Sequence, residues 1–266
     1  MIKEAINLDN LYFKEPQTEV VALDQDNLYD KGCYCLRSKP TSLGFINKNK
    51  WVMEKLDEGL KYIKIMEDGK TAGFIEYIPI ENSSRVVYGE NYLVIHCLWI
   101  NILGKGYASK LINICIQDAK KQNKDGVIVV TNPDTSWAPS KEIFIKNNFI
   151  EIDKAPYGFE LLINKFGDSP NPYFPDNWDD RLKLFNDLTV IRTQQCPFVD
   201  IATDNVINGA RNLGISTKII NIESREELLR ISPTPYGIYG VIFNNKLISF
   251  HRLTIHSVMK KLKELI

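Results

Sequence analysis

The sequence predicts an α+β protein of two domains, in which a mixed-sheet domain precedes a smaller α/β domain. The chain has 266 residues, which exceeds the usual length of one domain. Strand-like and helix-like patterns alternate on both sides of a proline-rich break at 167–175. We therefore expect a first domain at 1–166, a linker with a short helix at 167–186, and a second domain at 187–266.

Several apolar patterns predict the elements of the first domain. Trp51, Val52 and Leu56 form one helical stripe after an irregular N-terminal region, and Asp68-Gly69 is a typical two-residue hairpin turn. The run Tyr92–Ile100 does not alternate with polar residues, which indicates a buried central strand. In order, we predict a helix at Asn49–Glu58, strands at Leu60–Glu67, Thr71–Pro79 and Tyr92–Ile100, a helix at Tyr107–Gln122, a strand at Gly126–Thr131, a helix at Ser140–Asn147 and a strand at Gly158–Ile163.

The break itself contains Pro170, Pro172 and Pro175, which exclude a helix, and Trp178 and Leu182 then indicate a short packed helix. The residues after it alternate strand and helix patterns, as in a small α/β sheet domain. The predicted elements are a strand at Leu188–Thr193, a helix at Ile201–Leu213, a strand at Ser216–Asn221, a helical segment at Ser224–Arg230, a hairpin of Tyr239–Phe243 and Leu247–Phe250, and a closing helix at Ile255–Leu265.

The charge balance and the cysteine content exclude several classes of protein. Lysine plus arginine and aspartate plus glutamate each number 33, so nothing favours nucleic acid or an acidic membrane as a partner. No apolar run is long enough to span a membrane, and the first residues lack the pattern of a signal peptide. Five cysteines are an odd, sparse set, typical of a reducing compartment. We expect a cytoplasmic protein, and the oligomeric state stays open.

A glycine-containing turn between the central strand and the long helix is the sharpest local signal. Gly104 and Gly106 precede the helix, and the small Ala108 lies in its first turn. Exposed backbone N–H groups and the positive end of a helix favour binding of an anion such as a diphosphate. A tight turn with a purely structural role has equal weight, because two glycines before a helix are a common pattern.

Residues 45–166 resemble the GNAT acetyltransferases, whose diphosphate-binding turn reads Gln/Arg-x-x-Gly-x-Gly/Ala. Gly106 and Ala108 match this turn, whereas Leu103 stands at the Gln/Arg position. The resemblance implies acetyl-coenzyme A (acetyl-CoA) as cofactor, with its pantetheine arm along the strand Leu98–Ile100 and the backbone of Ile100 near the thioester. The cofactor-binding residues that it implies are Leu98, Trp99, Ile100, Leu103, Gly104, Lys105, Gly106, Tyr107, Ala108, Ser109, Asn132 and Phe144.

A second departure concerns the acid that would protonate the leaving thiolate. The family often carries a Tyr-x-Lys-x-Gly-Phe run, and the matching run here is Phe144–Phe149, which lacks the tyrosine hydroxyl. Tyr107 or a water could replace it, or the thiolate could leave unaided, because its intrinsic pKa is low.

Three residues are candidates for catalysis on the acceptor side. Glu76 lies in an apolar strand, where desolvation would raise its pKa and suit a general base; a solvated strand face is the alternative. His96 and Cys97 interrupt the central strand, so they lie in the core or at the cleft. A buried, hydrogen-bonded His96 and a core-filling Cys97 are the alternatives to catalytic roles.

The remaining cysteines allow fewer interpretations. Cys33 and Cys35 are spaced to share one face of a strand, but a structural zinc site needs two further ligands, and His96 would have to be one of them. We predict no metal site. Cys115 lies on the apolar stripe of the long helix, which indicates the core.

Cys196 precedes a predicted helix, where a lowered thiol pKa would make it the best candidate for a reactive thiol. The strand-Cys-Pro-helix pattern, together with Pro235, resembles a thioredoxin-type fold, although Val199 replaces the second cysteine of its Cys-x-x-Cys motif. Three alternatives remain open: the domain keeps the fold without redox chemistry, Cys196 acts alone, or Cys196 pairs with Cys33 or Cys35.

Across nearly the whole chain the layout resembles the two-domain YoaP-type acetyltransferases, through Asn-Trp-Asp-Asp-Arg-Leu at 177–182 and Leu-Thr-Val-Ile-Arg-Thr-Gln-Gln-Cys-Pro-Phe at 188–198. The resemblance implies an acetyl-CoA-dependent N-acetyltransferase that acts on a primary amine of a small molecule or peptide. A thiol-redox protein using Cys196 and a non-catalytic acyl-CoA-binding module are the alternatives.

Overall fold

The computed structural model describes residues 16–135 and 137–266, and it contains two separate β-sheets. The first fifteen residues, on which the argument against a signal peptide rests, lie outside the described residues, as does the start of the predicted irregular region. The first sheet has seven strands and the second has four. The prediction of an α+β chain with a second, smaller sheet domain is confirmed.

The first sheet has the order β1-β2-β3-β4-β5-β7-β6. Only β4 and β5 pair in parallel among its described strands, and the other neighbours are antiparallel. The strands are β1 at Thr18–Leu23, β2 at Lys61–Glu67, β3 at Lys70–Pro79, β4 at Tyr92–Ile100, β5 at Gly126–Thr131, β6 at Ile150–Ala155 and β7 at Phe159–Lys165.

Helices cover both faces of this sheet. They are α1 at Leu28–Lys31, α2 at Leu43–Leu56, α3 at Tyr107–Lys121 and α4 at Lys141–Ile145. Leu111 and Cys115 of α3 pack on one face, whereas Trp51 and Val52 of α2 pack on the other. In the described part of the chain, none of the helices has the length and apolar character needed to cross a bilayer.

Three predictions for the first domain were incomplete. Helix α2 begins at Leu43 rather than at Asn49, because the hydroxyl of Ser42 accepts from the N–H of Phe45 and caps the helix. The segment before it is not wholly irregular, since β1 pairs with β2 along its length. The edge strand β6 was missed, because only the β7 run was apolar enough to stand out.

The second domain follows the predicted order with small shifts of its element ends. Its sheet has the order β11-β10-β8-β9, in which β8 and β9 are parallel. The strands are β8 at Thr189–Arg192, β9 at Lys218–Asn221, β10 at Tyr239–Phe243 and β11 at Lys246–Ser249. The helices, counted from the linker, are α5 at Trp178–Leu182, α6 at Val199–Arg211, α7 at Arg225–Ile231 and α8 at Ile255–Lys263.

The two domains share one continuous apolar core. The rings of Phe159 from β7 and Phe250 lie 4.8 Å apart between centroids, and Val94 and Val190 belong to the same buried cluster. Burial of apolar surface contributes about 25 cal/mol per Å², so a shared core stabilises one fixed arrangement of the domains. The second domain therefore packs on the sheet face opposite α3.

The central strands separate where the functional site begins. The parallel pairing of β4 and β5 ends at Ile95 and Val129, but β4 continues to Ile100. The register of β3 and β4 shifts at Glu76 and Tyr77, which leaves His96 as an extra residue in β4. This bulge turns the end of β4 away from β5 and opens a gap at the edge of β4.

Candidate active site

The glycine turn after β4 is exposed and open. Gly104 has φ 79° and Gly106 has φ 71°, a left-handed conformation that glycine adopts without the penalty of a Cβ atom. A Cβ atom added at either glycine would meet no atom within 4 Å, so open space lies above both. Leu103, at the family's Gln/Arg position, is 79% exposed beside them.

The amides of this turn are free to bind an anion. Within the described residues, the N–H groups of 103–109 donate no backbone hydrogen bond, and the first helical bond runs from Lys110 to Gly106. The N-cap residue Gly106 has no side chain that could satisfy them. Helix α3 adds the partial positive charge of its first turn at the same place. Free amides and the positive end of a helix are the features that the predicted diphosphate site requires.

Lys105 and Tyr107 point away from this anion position and bind Glu67. The ammonium of Lys105 and the hydroxyl of Tyr107 both donate to the Glu67 carboxylate, which is 8% exposed at the residue level. The bond to Glu67 raises the pKa of Tyr107 to about 12. The pKa of Glu67 is lowered by the same two bonds. The Tyr107 proton is thus held by Glu67, which makes it a poor source for a leaving thiolate.

The strand residues predicted to bind the cofactor divide between two faces of the sheet. Leu98 and Ile100 pack beside the core under α3, on the side of the glycine turn. Trp99 points to the opposite face, because side chains alternate along a strand, and the residue is 48% exposed. The assignment of the Trp99 side chain to the cofactor groove is therefore corrected: it lines the cleft on the other face.

The other predicted cofactor contacts have structural partners. Phe144 is fully buried against Phe149 at 5.3 Å between centroids, so its ring belongs to the core and the prediction was wrong. The side-chain amide of Asn132 donates to the carbonyl of Tyr157 at 2.8 Å, and its oxygen accepts from the N–H of Asp134. Near the turn, Ala108 is partly exposed and Ser109 is exposed, so both small residues are accessible to a cofactor, as the resemblance requires.

Glu76 is buried between Lys48 and His96. Its carboxylate accepts from the ammonium of Lys48, which lies on the buried face of α2, and both side chains are at most 5% exposed. Burial opposes ionisation of Glu76, but the charge of Lys48 and the hydrogen bond from His96 outweigh it and lower the pKa of the carboxyl. The predicted raised pKa is therefore wrong, and Glu76 is not poised as a general base.

The hydrogen bonds of His96 fix its protonation. The backbone N–H of Ser84 donates to Nε2 at 3.1 Å, and since an N–H can only donate, Nε2 is the unprotonated nitrogen. The proton lies on Nδ1, which faces Oε1 of Glu76 at 3.4 Å. Burial lowers the pKa of His96 to about 4, so the ring is neutral at pH 7. His96 thus matches the buried, hydrogen-bonded alternative.

A small enclosed cavity of about 50 Å³ lies between this group and the second domain. Its volume is about that of one or two water molecules. It is lined by residues of both domains, namely Cys33, Cys35, Lys48, Tyr62, Phe74, Glu76, His96, Cys97, Trp137, Gln195, Cys196, Pro197, Tyr236 and Ile238. Four thiols from three distant parts of the sequence therefore line one cavity beside the β4 bulge.

These thiols are not activated. Burial raises the pKa of Cys196 to about 11 and the pKa of Cys35 to about 12. The pKa of Cys97 is also raised, mainly by burial. The predicted lowered pKa of Cys196 was wrong, because the second domain packs its thiol into the interface before α6 begins at Val199. Cys115 lies in the core under α3, as predicted.

Arginines join the second domain to the strand face around the cavity. Arg85 is 1% exposed; its Nη1 donates to Gln195 of the second domain at 2.8 Å, and its Nη2 donates to the carbonyl of His96. Arg225 donates to the carbonyls of Ser83 at 2.6 Å and of Val87 at 2.8 Å. These bonds seal the acceptor side of β4 at one end.

A wide cleft remains open at the other end of this face. Its volume is about 950 Å³, large enough for a small-molecule substrate. Cys35 lines both the cleft and the enclosed cavity, so the two are adjacent. The lining residues are Glu19, Val21, Lys31, Tyr34, Cys35, Leu36, Arg37, Ser38, Lys64, Met66, Gly69, Lys70, Thr71, Trp99, Asn101 and Phe198.

Metal ligands do not gather in the described part of the chain: it holds no group of three or more His, Cys, Asp or Glu side chains arranged for a metal ion. Cys33 and Cys35 both line the enclosed cavity, but Cys33 is packed in the core under α2. His96 does not join them as a ligand, because Ser84 donates to its Nε2 and its Nδ1 faces Oε1 of Glu76 at 3.4 Å.

Sequence reasoning missed the residues that organise this site. Lys48 lay just before the predicted start of α2, although it continues the stripe of Trp51 and Val52 at helical spacing. A lysine on an apolar stripe is a recognisable signal of a buried charge that needs a partner. Arg85 and Gln195 are 110 positions apart, and no local pattern connects them.

The separated β4 and β5, the open glycine turn and the helix behind it are the features in which this chain resembles the GNAT N-acetyltransferases, enzymes that use acetyl-CoA. Residues 24–137 match the model of the acetyltransferase (GNAT) family. Over 254 residues the chain is 26% identical to the uncharacterized N-acetyltransferase YoaP of Bacillus subtilis (strain 168), covering 92% of this chain and 98% of that protein.

Solved structures of acetyltransferases align with part of this chain. The ribosomal-protein-alanine N-acetyltransferase of Brucella melitensis matches with a TM-score of 0.41 and 12% identity, over 56% of this chain and 99% of that chain. The PaiA N-acetyltransferase of Thermoplasma acidophilum, in complex with coenzyme A, matches with a TM-score of 0.41 and 14% identity, over 56% and 99%.

Proposed function

We propose that this protein transfers the acetyl group of acetyl-CoA to a primary amine of a small molecule or peptide, and that the acceptor enters through the cleft beside β4. The free amides of 103–109 at the open end of the strand gap carry this proposal. Acetyl-CoA supplies the thioester whose acetyl group forms a bond to the amine nitrogen as its bond to sulfur breaks.

The turn residues bind and orient the cofactor in this proposal. The amides around Gly104 and Gly106 hold the diphosphate, and Ala108 leaves room at the first turn of α3. Beyond Ile95, β4 pairs with β3 but not with β5 among the described residues, so the N–H groups on its β5 side are available to polarise a carbonyl group. Leu103 contributes no polar contact, and the backbone supplies the binding.

Glu76 and His96 act as positioning residues in this proposal. His96 is the extra residue of the β4 bulge, and its ring and carbonyl are bound by Ser84 and Arg85. Glu76 holds the ring from the other side. Lys48 holds Oε2 of Glu76 and Ser84 holds Nε2 of His96, while Oε1 and Nδ1 face only each other at 3.4 Å in the interior, so the proton of the amine passes to water. Cys97, beside the bulge, contributes an uncharged wall.

The second domain is thioredoxin-like in this proposal and closes the acceptor side. Two observations support the resemblance: the order β8-α6-β9-α7-β10-β11-α8, and a sheet in which β8 pairs with parallel β9 and antiparallel β10. The raised pKa of Cys196 supports a role in packing. The domain thus shapes the cleft through Pro197 and Phe198.

Isothermal titration with acetyl-CoA tests the proposal. The wild-type protein should bind, and Gly106→Asp should abolish binding, because it places a carboxylate where the diphosphate sits. Gly214→Asp is a matched control: Gly214 also has φ 71° and no atom within 4 Å of an added Cβ, but it lies in the second domain. No binding by the wild-type protein at millimolar acetyl-CoA would overturn the proposal.

A further inference from the structure

We propose that the cleft beside β4 binds an acceptor amine that also carries an anionic group, a carboxylate or a phosphate. This inference rests on the acetyltransferase function proposed above and specifies its substrate class. The cleft, its charged lining and the near-complete burial of one of its lysines carry the inference.

The cleft leads toward the reacting end of β4. Trp99 and Asn101 form its wall at the end of that strand, and Cys35 lines both the cleft and the enclosed cavity at Cys97. At the same place Phe198 lines the cleft and its neighbour Pro197 lines the cavity. An acceptor seated in the cleft can therefore direct its amine toward the gap beside β4 while its other end remains among the residues of the wide part.

The charge of the lining is unbalanced. Lys31, Arg37, Lys64 and Lys70 line the cleft, and Glu19 is the one carboxylate among its described lining residues. The chain as a whole carries 33 basic and 33 acidic residues, so this excess is local. Within the described chain, none of the four cations has a carboxylate within 4.0 Å. A concave surface lined by one sign of charge concentrates ligands of the opposite sign.

Burial of the charged Lys64 side chain in the wall of the cleft costs free energy, and a bound anion would offset this cost. The residue is 1% exposed, and its ammonium donates to the carbonyls of Lys31 at 2.9 Å and Gly32 at 3.0 Å. Both acceptors are neutral. Burial, and then the charge of Arg37, lower the pKa of Lys64 to about 8. A carboxylate or phosphate in the cleft would counter both effects through charge-assisted hydrogen bonds.

The same charges suit the chemistry of an amine acceptor. An amine attacks only as its free base, and nearby positive charges disfavour the ammonium form. The cleft therefore favours a neutral amine attached to an anionic group and disfavours a polyamine, which would bring further positive charge. We therefore predict that the protein selects among acceptors by the charge of the group at the far end from the amine.

Matched amine pairs test the inference, with release of the coenzyme A thiol as readout at saturating acetyl-CoA. O-phosphoethanolamine is compared with ethanolamine, and β-alanine with β-alaninamide, so the two pairs separate phosphate from carboxylate. Spermidine is the cationic arm. We expect kcat/KM for the anionic member of at least one pair to exceed that of its partner by about tenfold or more, and spermidine to be the poorest.

Charge-removing variants tie the effect to the cleft. Arg37→Gln and Lys70→Gln alter exposed side chains, so the fold is retained. Each should raise KM for the preferred anionic amine by about tenfold, and raise KM for its uncharged partner by a clearly smaller factor. Lys61→Gln is the control, because Lys61 is also exposed and does not line the cleft.

A binding measurement covers the case in which none of these amines is acetylated. Trp99 lies in the cleft wall, so O-phosphoethanolamine or β-alanine should change its fluorescence, Trp99→Phe should remove the change, and Arg37→Gln should weaken binding. Binding of acetyl-CoA without any preference for an anionic amine, by either readout, would overturn this inference alone. Absence of acetyl-CoA binding would overturn the proposed function instead.

Discussion

Nη1 of Arg85 donates to Oε1 of Gln195 at 2.8 Å, and this bond joins the two domains in the protein interior. The same guanidinium donates through Nη2 to the carbonyl of His96 and lies 4.9 Å from the ring centre of Tyr236. One side chain therefore connects the β4 bulge to the domain that covers it. The geometry of the strand gap and the packing of the second domain depend on each other.

Arg85→Met should destabilise the whole protein. The substitution leaves Oε1 of Gln195 and the carbonyl of His96 without this donor in a buried place, so we expect the free energy of unfolding to fall by about 3 kcal/mol. Urea unfolding measures the change. Arg252→Met is the control, because Arg252 is exposed, and its effect should stay within about 0.5 kcal/mol. Equal stabilities of the two variants would contradict the structural role of Arg85.

The stability of the protein should depend on pH through His96. Burial lowers the pKa of His96 to about 4 in the folded state, whereas the unfolded chain binds the proton near pH 6.5. Between these values the unfolded state holds more protons, so the free energy of unfolding decreases on acidification by up to about 1.4 kcal/mol per pH unit. The contribution is fully present above pH 6.5.

Urea unfolding at several pH values measures this slope. His96→Asn should reduce the slope between pH 6.5 and 4, and His256→Asn should retain it, because His256 is exposed on α8. The comparison uses slopes, so a general loss of stability in His96→Asn does not affect it. An unchanged slope in His96→Asn would assign the pH dependence to other groups.

Lys48 and Glu76 should be strongly coupled. Lys48→Met leaves the Glu76 carboxylate buried without its cation, whereas the double variant with Glu76→Gln removes both charges. We expect a coupling free energy of about 2 kcal/mol or more from urea unfolding of the cycle. Lys50 and Glu54 provide the matched control, because Nζ of Lys50 and Oε1 of Glu54 lie 3.9 Å apart on the exposed face of α2. Their coupling should stay below about 0.5 kcal/mol. Similar coupling free energies for the two pairs would contradict a buried ion pair between Lys48 and Glu76.

The thiols of the folded protein should react slowly with iodoacetamide at pH 7.5. The pKa of every cysteine is raised, mainly by burial, for Cys33, Cys35, Cys97, Cys115 and Cys196. We expect rates at least about 100-fold below that of free cysteine, since the thiolate is the reactive form. Unfolded protein in guanidinium should lose this protection. Fast, selective alkylation of Cys196 in the folded protein would revive a redox function.

Tyr107→Phe should change turnover little. The hydroxyl of Tyr107 donates to Glu67, so it is not available to a leaving thiolate. Once an amine that the protein acetylates is identified, kcat of Tyr107→Phe with that amine should remain within about threefold of the wild-type value. A group acting as general acid would cost about 100-fold or more on removal, and a loss of that size would assign the acid role to Tyr107.

Local chemistry made much of this fold predictable. Asp68-Gly69 specifies a hairpin, the unbroken apolar run Tyr92–Ile100 specifies a buried strand, and Gly104 and Gly106 mark the turn before α3. These signals act over a few residues, through backbone sterics and the period of the apolar side chains. The main misses, the first turns of α2 and the edge strands β1 and β6, are places where a cap or a neighbouring strand selects the conformation.

The pKa values and packing partners of the side chains around β4 could not be predicted from such local signals. Glu76 and Cys196 have pKa values opposite to those that their sequence positions suggested, because Lys48 neutralises the first and the second domain buries the other. Such shifts depend on charges and surfaces brought together from distant positions, where Coulomb energy and desolvation act through space rather than along the chain. The amino-acid order thus specified the elements and the glycine turn, whereas the cleft beside β4 and the state of the buried groups near it came from packing one domain on the other.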